Sequence, residues 1–234
     1  MIVFLFLIFF FNSGYCAGPI SHAYLSEKFF EYFPNYSQEE QQAFRAGTLF
    51  PDIRYLGVIS RETTHFASVT LKEILDEESP FLAGMKFHSF VDLKREAFAV
   101  QANIYSLIVV PHKAMFLKLI EDEIIYSKRN WYEWNKALLN INAEEMDWNI
   151  DLNALQKWHY YLEICFLIPP SSIISFVKNT NTRVLFKEIS EIELSTWNNT
   201  LSQLAHSSDM IKYVQNLLNH FDRLMHEEAQ NMVD

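Results

Sequence analysis

At 234 residues, half of them hydrophobic, the chain can bury a sizeable core as one large domain or two small ones, and one is the simpler reading. Five glycines and seven prolines, with no long alternating run of β-branched residues, argue against a sandwich or barrel and leave an all-α fold, a single-domain multi-helix bundle. The formal net charge of −10 argues against a protein held to nucleic acid or anionic lipid by a basic surface.

Met1 to Phe11 is wholly apolar, too short to cross a bilayer but suited to the apolar core of a secretory signal. Gly14 and Cys16 place small residues three and one before a cut, so residues 1–16 read as a removed signal and 17–234 as the mature domain. No Lys or Arg precedes the apolar run, and a buried N-terminal helix is the competing reading. The expected location is secreted or periplasmic, with no stable transmembrane span. Cys165 is then the sole cysteine, so no internal disulfide is available.

Helices are expected from His22 to Tyr32 and, opened by the capping-box pair Ser37 and Glu40, up to a stop near Gly47. Thr48 to Thr64 reads as loop, Phe66 to Asp76 as helix, and Phe81 to about Leu107 as one long helix after the Ser79-Pro80 break. Pro111 opens a helix to about Tyr126, Asp151 to Leu167 forms another before Pro169-Pro170, and the last runs from about Asp209 to Met232.

In the long helix, His88 and Asp92 lie four residues apart, on one face one turn on, where a single cation can sit between imidazole and carboxylate. Such a pair alone is often only a solvated one. Upstream, however, Asp52 in Gly-Thr-Leu-Phe-Pro-Asp-Ile-Arg, His65 in Glu-Thr-Thr-His, and His22 add donors of the types that bind zinc. Loop backbone delivering Asp52 and His65 fits a functional role.

An Asp, a His thirteen residues later, and then His-x3-Asp after Gly84 resemble the zinc-dependent phospholipase C family and the related fungal single-strand nucleases. The nuclease branch begins Trp-Gly-x3-His once its signal is removed. A cut after Cys16 leaves Ala17-Gly18-Pro19-Ile20-Ser21-His22, with the same count to the histidine but no leading aromatic. The resemblance implies that Asp52, His65, His88 and Asp92 form one zinc site and that Asp92 bridges to a second metal held by His22 and the Ala17 amine. In all, one to three zinc ions are implied.

The family's later ligands are not matched. Phe98 stands where a His is expected, and Phe116 breaks the pair that His112 begins. Glu123 shares the His112 face and is the candidate substitute, with Glu121 and Asp122 read as pointing elsewhere. The likeness therefore covers residues 17–92. His112 and His159 otherwise read as helix-face or core histidines, the latter despite an intact His159-x3-Glu163, and the Trp131, Trp134 and Trp158–Tyr161 stretches as packing. Lys94-Arg95-Glu96 reads as a solvated turn, with Arg54 and Arg95 as candidate phosphate contacts.

By this resemblance the expected activity is zinc-dependent phosphodiester hydrolysis of the phospholipase C kind, with Asp52 ligating and orienting the attacking water. A phospholipid headgroup is the first substrate expected, and nucleic acid the second. Two alternatives stand beside it: a single-strand nuclease, and a non-catalytic metal-binding helical protein with a degraded site.

Overall fold

The computed structural model describes residues 16–180 and 190–232. Helix α1, Pro19–Tyr32, starts on Pro19, whose missing N–H is one that a helix start leaves unused. Helix α2, Gln38–Leu49, opens with the reciprocal Ser37/Glu40 capping box and runs into a 3-10 turn, Phe50–Leu56, closed by left-handed Gly57 at φ 72°. Short helices α3, Arg61–Thr64, and α4, Leu71–Leu75, lead to the 22-residue α5, Pro80–Gln101, which has Ser79 as N-cap and Pro80 in its first turn. Asn103, left-handed at φ 51°, ends that stretch before a second 3-10 turn, Ile104–Leu107.

Helix α6, Lys113–Tyr126, is followed by α7, Tyr132–Ala137, α8, Ala143–Met146, and α9, Leu152–Leu167. Then come α10, Pro170–Thr180, α11, Glu191–Ala205, and α12, Ser208–Asn231. No strand occurs among the described residues, and the fold is all-α, one multi-helix domain around a single core. No described helix is long and apolar enough to cross a membrane. The expected signal falls on residues 1–15, outside the described residues, with only Cys16 of it inside.

Helices α2 and α5 form the most extensive helix pair. Gly47 does not stop α2, as its residue type suggests, but sits inside it, where an added Cβ would lie 1.9 Å from the Phe81 carbonyl oxygen. Gly84 answers from α5, its Cβ position only 2.1 Å from the Phe44 carbonyl oxygen. Two glycines facing opposite backbones let the helices touch without side chains between them. Beside this contact Phe29, Phe44 and Phe87 pack together with ring centroids 5.0 to 5.5 Å apart and no exposure. Burial of each such ring stabilises by roughly 1.5–3 kcal/mol. The long helix is also shorter than its sequence suggests, because Asn103 breaks it before Leu107. Similarly, the helix expected from Phe66 is confined to α4, which the Thr70/Glu73 capping box starts.

Candidate metal centre

The α2–α5 contact places the first histidine. With the helices in backbone contact, His88 on α5 reaches the Thr48 carbonyl at the end of α2, and Nδ1 lies 2.8 Å from that oxygen. A carbonyl can only accept, so Nδ1 carries the hydrogen and Nε2 presents its lone pair inward. One turn on, Asp92 faces the same space. Asp52 enters from the 3-10 turn that Pro51 begins, and His65 follows α3 directly. Thr64 joins these last two elements, its hydroxyl donating to the Pro51 carbonyl at 3.3 Å and lying 3.0 Å from His65 Nδ1.

His22 comes from α1, and a residue one hundred positions away fixes where α1 begins. Gly18 offers the helix no capping side chain. The Asp122 carboxylate on α6 caps it instead, accepting from Ile20 N at 3.2 Å, Ser21 N at 2.9 Å and Ser21 Oγ at 2.6 Å. A Cβ at position 18 would lie 2.2 Å from Asp122 Oδ2, so a larger residue there has to displace this cap. The segment so pinned points Ala17 N at Asp92 Oδ1, 2.8 Å away. It also stacks the His22 ring on His88, centroids 4.0 Å apart.

Asp92 divides its two oxygens between two groups. Oδ1 meets Ala17 N and His22 Nε2, the latter at 3.2 Å. Oδ2 faces His88 Nε2 at 3.4 Å and His65 Nε2 at 3.8 Å, with Asp52 Oδ1 4.0 Å from His88 Nε2. Donor atoms of His22, His88 and Asp92, and those of Asp52, His65 and His88, lie within 4.8 Å of one another in each set. Tetrahedral ligands about 2 Å from zinc stand roughly 3.3 Å apart, which these spacings approach.

Nε2 of His22, His65 and His88 and Oδ2 of Asp92 are all buried and have no hydrogen-bond partner. Four orphaned polar atoms on one spot are costly in an apolar interior unless something joins them. Their protonation suits a cation. Burial opposes ionisation of Asp92, yet the imidazoles of His88 and His22 hold its carboxyl well below the usual range. Burial likewise opposes Asp52, which His88 and Arg54 keep low. Burial and then the neighbouring His88 drive His65 down to about 3 and also lower His22. For His88 burial acts the same way, but the Asp92 and Asp52 carboxylates outweigh it and raise its affinity for a proton. The result is a donor set of oxygen and nitrogen, two carboxylates and three imidazoles, that fits zinc.

An open cleft of about 340 Å³ leads to the cluster, lined by Arg61, Glu62, His65, Phe66 and Leu93 among others. Arg61 is the residue that the sequence reading missed. Its guanidinium Nη2 stands 3.9 Å from Asp92 Oδ2 and its Nη1 is buried without a partner. The available signal was its place four residues, one helical turn, before His65.

Three expected site residues do not join. Arg95 is not part of a solvated turn: 1% exposed, it forms a buried pair with Glu121 on α6, and no phosphate reaches it. His112 is exposed, edge-on to Trp197, and Glu123 instead accepts from the Ser171 hydroxyl and N–H, at 2.7 and 2.8 Å. Neither is among the donor groups found in the described residues. Arg54 does border the cluster, donating to Asp52 Oδ1 at 3.0 Å and to Tyr55 Oη at 2.8 Å.

Compared with protein-family models, curated proteins and solved structures, the chain matches none.

Proposed function

We propose that the protein is an exported, zinc-dependent phosphodiester hydrolase of the phospholipase C kind. The observation that carries this reading is the quartet of buried, unpartnered donor atoms, three imidazole nitrogens and one carboxylate oxygen, beside a cleft. In it Asp52, His65, His88 and Asp92 Oδ2 hold one zinc. Asp92 Oδ1 and His22 hold a second, joined by the Ala17 amine once residues 1–16 are removed. When bound, zinc supplies a water of lowered pKa and neutralises phosphate oxygens.

The chain's own residues do the remaining work. The Thr48 carbonyl keeps His88 in the tautomer that can ligate. Asp52, held by Arg54, is placed both to ligate and to orient a water. Arg61, which lines the cleft and has a guanidinium nitrogen without a partner, is the phosphate contact in place of Arg95. A phospholipid headgroup suits the acidic chain better than nucleic acid does.

A closed, structural zinc site is the second reading, favoured by the 1 to 2% exposure of His22, His88 and Asp92. Elemental analysis of the purified protein beside a His88→Ala/Asp92→Ala variant, with hydrolysis of bis(4-nitrophenyl) phosphate, separates them. Zinc lost in the variant together with chelator-sensitive turnover supports the enzyme. Zinc without turnover on any phosphodiester supports the structural site, and no bound metal in the unaltered protein overturns both.

A further inference from the structure

One residue before Ala17, the chain buries a thiol among basic side chains. Cys16 is fully buried, and its thiol accepts from the Lys118 ammonium on α6, lies 3.0 Å from Tyr55 Oη, and stands 3.9 Å from Arg54 Nη2. Lys118 is 4% exposed, and among the described residues it forms no ion pair with a carboxylate. Arg54 has only 8% of its side chain exposed, and its Nε is buried without a partner.

A buried ammonium with three hydrogens, the Nη2 end of a guanidinium and a phenol converge on this one sulfur. Such a donor set matches an oxyanion, whose oxygens accept from all three and give Lys118 a negative partner, Arg54 being already paired with Asp52. The position is also right, since the neighbouring Ala17 N touches Asp92 and Arg54 holds Asp52.

We propose that Lys118, Arg54 and Tyr55 form an oxyanion subsite for a phosphoryl group, and that the Cys16 side chain plugs it until the chain is cut after Cys16. The inference deepens the hydrolase reading, on which its link to a substrate phosphate rests, but the socket itself is independent of metal. It assigns Lys118 as a positioning residue that directs one phosphate oxygen away from the metal ligands. It also gives a buried lysine of α6 that lacks a carboxylate partner a reason to be there.

The test is calorimetric titration of inorganic phosphate, and separately of dimethyl phosphate, into the full chain, its Cys16→Gly variant and the Cys16→Gly/Lys118→Met variant. Metal content is measured on each preparation. The expected result is phosphate binding at least tenfold tighter in Cys16→Gly than in the unaltered chain, and at least a tenfold loss on adding Lys118→Met with metal content unchanged. Dimethyl phosphate bound equally well identifies a diester substrate site; preference for inorganic phosphate identifies a product site. Equal binding with and without the thiol, or no loss on removing the ammonium, overturns the proposal whether or not metal is present. Where Lys118→Met loses metal as well, Lys118→Arg decides. Restored phosphate binding upholds the subsite, and metal retained without phosphate binding rejects it.

Discussion

Two buried histidine–carboxylate groups lie among the described residues, and they are built in opposite ways. Around Asp92, three imidazoles turn their Nε2 atoms inward and leave them unpaired. On α9, His159 is closed on both sides, Nδ1 lying 2.9 Å from the Leu138 carbonyl and Nε2 2.8 Å from Glu145 Oε2. The Leu138 carbonyl makes Nδ1 a donor, and Glu145 beside Nε2 raises the ring's affinity for a second proton. The second group is complete as protein alone; the first is complete only with something added. Burial and residue type do not distinguish a ligand from a structural histidine, but the accounting of its second nitrogen does.

The sharpest way to break this contrast is to exchange one histidine from each side. His65→Ala removes a ring whose Nε2 bonds to nothing in the fold, so metal affinity falls by at least ~100-fold. The stability of the metal-free protein changes by no more than about 1 kcal/mol. His159→Ala does the reverse. It leaves Glu145 buried and unpaired, lowering stability by about 2–3 kcal/mol while metal content stays as it was. Elemental analysis and urea unfolding of both variants check the four outcomes, and metal loss from His159→Ala would sink the distinction.

A smaller effect tests how the fold sets up the first group. Gly84→Ala puts a methyl against the Phe44 carbonyl and the Thr48 N–H, at 2.1 and 2.8 Å, so α2 and α5 must separate. Overpacking of that kind costs roughly 1–3 kcal/mol. The separation also lengthens the contact of His88 Nδ1 with Thr48 O, an outer-shell bond whose loss weakens metal binding by ~10-fold or more. Unfolding and metal titration of the one variant report both, and normal metal affinity would show that the Thr48 contact does not position His88.

What could be read from the sequence divides along the same line. The spacing of His88 and Asp92, the helix face they share and the upstream donors Asp52, His65 and His22 are local patterns, and the structure brings those residues together. Features that depend on a distant partner were not legible. Gly47 looked like a helix stop because glycine usually is one, whereas its reason is the Phe81 backbone across the contact. Arg95 looked solvated beside Lys94 and Glu96, but Glu121 on another helix draws it inward. Asp122 read as pointing elsewhere than a ligand face, and it does, onto the start of α1, where it decides the position of Ala17. Nothing within 17–32 announces that cap. By contrast, the capping boxes at Thr70/Glu73, Asn142/Glu145 and Ser190/Glu193 are sequence signals for α4, α8 and α11 that a search restricted to apolar periodicity passes over.

Glu145 shows how such a local device serves the far side of the comparison, and it yields the smallest expected effect. The same carboxylate that closes the α8 capping box through Asn142 N, at 3.0 Å, accepts from His159. Burial alone would strip the proton from His159, but the Glu145 carboxylate reverses this and raises the folded-state pKa above the ordinary 6.5. The folded protein therefore holds that proton more tightly than the unfolded chain does. The stability so gained is fully present below about pH 6.5 and is lost as pH rises through the raised value. Asp122 slopes in the same direction but earlier. Burial lifts its carboxyl to about 7 against the bonds from Ser21, so its contribution falls between about pH 4 and 7. Urea midpoints of the unaltered protein and of Glu145→Gln, followed from pH 6 to 9, isolate the histidine, since Asp122 is common to both. The difference between the two should shrink as pH rises; a constant difference would mean that His159 is held neutral and that the closed group is an ordinary hydrogen bond.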